Sequence, residues 1–236
     1  MHATVGNVGV PELDIDLWSD EILVDPYPTY VRLRQLGPVL FDAAHDAYVL
    51  PRYAEVRRVL QDWETFSSAR GVGLNEQANA MAGRGILTTD PPLHDTRRRI
   101  LNAQLVPREV ARHRSFLVAV ADEMVDELVE QGSFDAVADL APRNSLKVVA
   151  DLCGLPDEGR EHLIDRAGAA FNTFGPDNER CQRSWDGFFE LFDYCTNEAT
   201  PERLTPDRWG TEIYEAGRTG AIEADACPGL MLAYVW

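Results

Sequence analysis

Basic residues are scarce in this chain. Its 236 residues include 39 Asp and Glu against 22 Lys and Arg, a formal net charge of −17 at neutral pH. A main role in binding nucleic acid is excluded, because replacing phosphate counterions needs a basic surface. A generic anionic membrane surface is disfavoured for the same reason. Long hydrophobic runs are missing too: the longest apolar stretch, Gly229 to Trp236, is far too short to span a bilayer. Met1 to Pro11 has neither the basic nor the apolar region of a signal peptide. These absences point to a cytoplasmic protein with no membrane partner. The four cysteines, Cys153, Cys181, Cys195 and Cys227, form no Cys-x-x-Cys pair, which excludes a zinc ribbon or a disulfide framework. Buried reduced thiols are the expectation for them. The glycines fit neither a dinucleotide fingerprint nor a P-loop.

Apolar residues at 45% and charged residues at 26% suit a globular core, and their periods are mostly helical. Pro26 to Leu36 reads as a short helix stopped by Gly37. Two short strands, Pro38 to Phe41 and Ala47 to Leu50, flank a turn. Tyr53, Val56, Val59 and Leu60 set the period of the next helix. An irregular, glycine-containing connection from Asp62 to Thr89 follows, a length that is usually functional inside a compact domain. Pro107 opens a long helical period up to Gly132, and Ser133 to Val137 reads as a strand turn. Further helices are expected around Leu146–Leu152, Asp157–Gly175 and the aromatic-rich Asn178–Asn197, with a last apolar segment from Ala224 to Trp236.

The most telling stretch is Thr89-Asp90-Pro91-Pro92-Leu93-His94-Asp95-Thr96-Arg97-Arg98-Arg99. Asp90 reads as a helix N-cap with the prolines in the first turn, where a missing N–H costs nothing. His94 and Arg98 lie four residues apart and share a face, which Leu101 and Leu105 extend. That face is expected to turn inward, where an imidazole and a guanidinium need an anion because a bare buried charge is costly. An amphipathic helix with a half-buried His and an Arg paired to a carboxylate is the plainer alternative.

This Asp-Pro-Pro-x-His-x-x-x-Arg run, set among those flanking elements, resembles the C helix of bacterial haem-thiolate monooxygenases, the cytochrome P450 family. The resemblance covers essentially the whole chain. It implies a mainly α fold, the N-terminal portion of the P450 fold from helix A to the start of helix I with a small β hairpin, residues 1–236 being the first half of one truncated domain. It also implies haem b as cofactor, with His94 and Arg98 on its propionates. None of the four cysteines sits in the family's Phe-x-x-Gly-x-x-x-Cys-x-Gly loop: Cys227-Pro228-Gly229 has the trailing glycine but Glu223-Ala224-Asp225 upstream. The iron ligand is therefore not in this chain, no residue here is assigned as catalytic or as a metal ligand, and the chain by itself is expected to be inactive.

Arg97, Arg99 and Arg112 belong to a basic cluster in an otherwise acidic chain. Arg97 and Arg99 fall off the His94/Arg98 face and are expected to meet solvent. In the family this helix lines the face where ferredoxins dock, so the resemblance implies an acidic ferredoxin as partner. Arg70-Gly71-Val72-Gly73-Leu74 and Ala169 to Pro176 are similar to a subgroup that oxidises para-substituted benzoates. By that likeness Phe171 and Phe174 flank a substrate ring, Leu87 is an apolar wall, and Arg84 stands where the subgroup has a small polar residue, able to pair with a carboxylate. Ordinary core aromatics and a solvated arginine are the alternative reading. The function implied is haem-dependent hydroxylation or O-demethylation of a small aromatic acid. A non-catalytic helical scaffold or interaction protein is the competing class.

Overall fold

The computed structural model describes residues 9–235, the side chain of Asn144 excepted. The leader expectation for Met1 to Pro11 falls largely outside them, as does Trp236. The chain divides into two compact units, residues 1–68 and 69–236.

The first unit holds α1 (Asp20–Val24), α2 (Tyr27–Leu36), β1 (Leu40–Asp42), β2 (Ala47–Val49) and α3 (Tyr53–Gln61). The hairpin is antiparallel, pairing Leu40 with Val49, Phe41 with Tyr48 and Asp42 with Ala47. Buried Asp42 accepts from the turn, at 2.8 Å from His45 Nδ1 and 3.2 Å from the Ala44 N–H. Leu33, Leu40 and Phe41 are buried, but Tyr27, Tyr53 and Leu60 are exposed. The helical periods hold here, while their apolar faces stay largely open.

The second unit is helical: α4 (Glu76–Asn79), α5 (Leu93–Leu105), α6 (Pro107–Arg112), α7 (Arg114–Gln131), α8 (Ala141–Cys153), α9 (Leu163–Asn172), α10 (Glu179–Asp193), α11 (Trp209–Arg218) and α12 (Cys227–Val235). Its core gathers Leu101, Leu155, Leu163, Leu191, Ile213, Leu230 and Met231. Three expectations are corrected. The long period after Pro107 breaks at His113 into α6 and α7. Ser133 to Val137 contains no strand, because Asp135 accepts from the Val137 and Ala138 N–H groups and starts a π-helical turn at 136–140. Asp90 is not the N-cap of α5, which starts at Leu93; its carbonyl accepts the His94 N–H at 2.9 Å instead. Gly154 ends α8 in the left-handed conformation at φ 74°, which a side chain would disfavour. No described helix is long and apolar enough to cross a membrane.

Candidate ligand cavity and cationic helix face

The cavity begins with α10. Asn178 caps it by accepting the Cys181 N–H at 3.0 Å. Cys181, Trp185, Phe188 and Leu191 then repeat at helical spacing and are buried. Trp185 and Phe188 pack edge to face with centroids 5.5 Å apart, a favoured aromatic geometry. Opposite lies the end of α9, followed by Thr173 and Phe174. The Asn75 side-chain amide donates to the Thr173 and Gly175 carbonyls at 2.7 and 2.8 Å, while its oxygen accepts from the Ala78 N–H. The Leu74 N–H donates to the Phe174 carbonyl at 2.9 Å. One asparagine thus pins the long connection onto the aromatic helices.

These elements, with α12, enclose about 370 Å³, the scale of a pocket for a small molecule. Arg84, Leu87, Phe171 and Phe174 all line it. Leu87 and Phe171 are more than half exposed, while Trp185 and Phe188 are buried behind them. Arg84 is the one charged residue among the described lining residues, and its guanidinium carbon lies 5.9 Å from the Phe192 ring centroid. The cavity lining is apolar apart from Thr88, Thr173 and the exposed Arg84, with no carboxylate among the described lining residues. Sequence reasoning missed Asn75, Trp185, Phe188 and Phe192 as parts of this site. The aromatic period of 185, 188 and 192 was visible, but nothing in it said which cavity it faced.

Helix α5 departs from expectation. Arg97, expected in solvent, is buried at 5% exposure. Its Nη1 donates to the Gly83 and Gly85 carbonyls at 2.7 and 2.9 Å, and its Nη2 reaches Glu223 at 3.4 Å. Loop carbonyls removed from water need donors, and Arg97 with Leu101 forms the inward stripe that supplies them. Arg97 is therefore no part of an exposed partner surface. The His94/Arg98 face is correspondingly turned outward: His94 is half-buried with Nδ1 3.1 Å from Asp95, and Arg98 and Leu105 are exposed. Arg98 makes no hydrogen bond or ion pair with the described residues, and with Asp95, Arg99 and Asn102 it lines an open concavity of about 490 Å³. Arg99 and Arg112 are exposed, Arg112 bonding to Glu109 at 2.6 Å.

All four thiols are buried. Burial pushes Cys153 and Cys195 up to about 12, so both stay protonated at neutral pH. Cys227 is likewise raised by burial, with its Sγ 3.5 Å from the Ile213 carbonyl. A thiol held this way is packing, not a ready thiolate.

The second unit thus combines an apolar cavity lined by one arginine with a helix whose Arg98 and Arg99 are exposed. No protein-family model matches the chain. It is 39% identical over 227 residues to cytochrome P450 CYP199A2 of Rhodopseudomonas palustris, covering 94% of this chain and 55% of that relative. Putative cytochrome P450 123 of Mycobacterium bovis is 28% identical over 168 residues, 70% of this chain and 42% of its own. Among solved structures, the P450 CYP268A2 of Mycobacterium marinum superposes with a TM-score of 0.76 at 24% identity, covering 97% of this chain and 60% of that one. CYP116B46 of Tepidiphilus thermophilus gives 0.77 at 18% identity, with 94% and 32% covered. The chain belongs to the cytochrome P450 family and matches the N-terminal portion of its fold. It spans about half the length of the curated relatives it matches.

Family membership implies haem, and α5 fits it. Arg98, outward and unbonded among the described residues, and half-buried His94 one turn away, whose Nδ1 faces Asp95, are groups that could donate to two propionates.

Proposed function

We propose that residues 1–236 supply the substrate cavity and part of the haem-anchoring surface of a cytoplasmic haem monooxygenase, as the first half of a single P450 domain. Its substrate class is a small planar aromatic acid, hydroxylated or O-demethylated at the end away from its carboxylate. The haem supplies the oxygen chemistry when bound; residues 1–236 alone hold no available thiolate and do not carry the reaction. His94 and Arg98 hold the propionates. Phe171, Phe174 and Leu87 flank the substrate ring, and Arg84 takes the carboxylate through a guanidinium fork. Arg99 and Arg112 offer a basic spot for an acidic ferredoxin on an otherwise acidic chain.

The observation that carries the reading is the convergence of Arg84, Leu87, Phe171 and Phe174 on one cavity with no competing charge. It also weighs against a purely scaffolding role, for which a lined apolar cavity has no use. The test is a spectral titration of the haem-loaded full-length enzyme with 4-methoxybenzoate and its methyl ester. Wild type should prefer the acid, and Arg84→Gln should lose about tenfold of that preference, the size of one charge-assisted contact. An ester that binds as well as the acid removes the aromatic-acid class.

A further inference from the structure

Three arginines of the second unit sit within fifteen residues of one another and do different things. Arg98 faces outward from α5. Arg84 lines the cavity. Arg97, between them in role, is buried and absent from the cavity lining. What it does touch is the backbone on both sides of Arg84. Its Nη1 binds the carbonyls of Gly83 and Gly85 together, at 2.7 and 2.9 Å. Its Nη2 is drawn to Glu223, the residue before the turn that leads into α12. Its buried Nε has no hydrogen-bond partner among the described residues, a cost the fold tolerates while the other two nitrogens are placed.

The same loop is fixed from the opposite side. Gly229 of α12 lies so close that a methyl group there would be driven into the Arg84 carbonyl, and a methyl at Gly85 would come within 3.2 Å of the Gly229 carbonyl. Inside the loop, the Gly83 N–H donates to the Thr88 hydroxyl at 2.9 Å and the Thr89 hydroxyl to the Ile86 carbonyl at 2.8 Å. The segment carrying Arg84 is thus clamped between α5 and α12. With its neighbours' carbonyls held by one fork, the Arg84 side chain leaves the backbone in a set direction.

We infer that Arg97 is a positioning residue for anion selectivity: by holding the Gly83 and Gly85 carbonyls it aims Arg84 into the cavity. This rests on the reading of Arg84 as the carboxylate anchor and deepens it. A lysine keeps the positive charge but cannot bind two carbonyls and a carboxylate in one planar fork. Arg97→Lys therefore separates aim from long-range attraction.

The experiment compares wild type, Arg97→Lys, Arg84→Gln and the double variant as haem-loaded full-length enzymes, titrated spectrally with 4-methoxybenzoate and its methyl ester. Arg97→Lys should lower the acid-over-ester preference about tenfold, with ester affinity and haem content within about twofold of wild type. The double variant should fall no further than Arg84→Gln, because both changes remove one contact. If Arg84→Gln loses the preference and Arg97→Lys keeps it, the positioning role is wrong and the anchor stands. If Arg84→Gln keeps it, the anchor reading fails, and this inference with it. Should Arg97→Lys not accumulate folded, Glu223→Gln relaxes the clamp without emptying the buried site. It should then lower the preference about threefold, and an unchanged ratio overturns the proposal.

Discussion

The two faces of α5 differ in how their cations are treated. On the inner face Arg97 is almost wholly buried, and its Nη groups answer two loop carbonyls and a carboxylate. On the outer face, one residue later, Arg98 is exposed and makes no hydrogen bond or ion pair with the described residues. Two neighbouring guanidiniums thus differ: one bonds loop carbonyls and a carboxylate inside the unit, and the other is open to solvent. A buried fork is spent on internal order, while an unpaired one on a firm helix is a binding site held ready.

The largest expected effect lies in the buried core to which the inner face of α5 contributes Leu101. Phe188 is buried among Trp185 and Phe189, so Phe188→Ala should cost about 3–5 kcal/mol of stability by denaturant unfolding. A loss under about 1 kcal/mol would show the aromatic wall to be loosely packed. On the outer side, Arg98→Ala should weaken haem retention by about 1.5–3 kcal/mol, read by competition with a haem-accepting apoprotein. Arg99→Ala is the control, exposed on the same helix, and equal haem loss in both would break the assignment.

The alkaline limb tests the buried core next. Cys153 and Cys195 titrate at about 12 in the folded state, against 9.0 for an ordinary thiol. A raised folded value means the native state keeps protons that the unfolded chain releases. Their contribution is complete below pH 9 and is lost as pH rises from there to about 12. Stability measured against pH should fall across that window, and Cys153→Ala should flatten the fall. The smallest effect concerns rate. Arg99→Glu with Arg112→Glu should slow reduction by an acidic ferredoxin about tenfold at low salt, and the slowing should shrink as salt rises. Reduction independent of salt in both proteins would remove the basic docking spot.

Most helices were legible because a helix records its period locally. Tyr27–Leu36, Tyr53–Gln61 and Glu179–Asp193 follow their apolar spacing closely. The turn at 136–140 was not, since one aspartate side chain bonding the next backbone groups outweighs a weak strand pattern. Arg84, Leu87, Phe171 and Phe174 were singled out by likeness alone; all four line one cavity, and their roles toward a substrate are the proposal made above. Asn75 was not, because the carbonyls it satisfies lie about a hundred residues away in the chain.

Residue type and spacing by themselves determined the helical class, the excess of acid and the presence of a cationic helix after Asp90-Pro91-Pro92; the family came from the resemblance that motif carries. Only the tertiary structure decided which arginine of that helix turns inward. His94/Arg98 and Arg97/Leu101 are both four apart, and local geometry cannot rank two such stripes. The choice was made by the carbonyls of Gly83 and Gly85, which needed a buried donor once the loop had packed against Gly229.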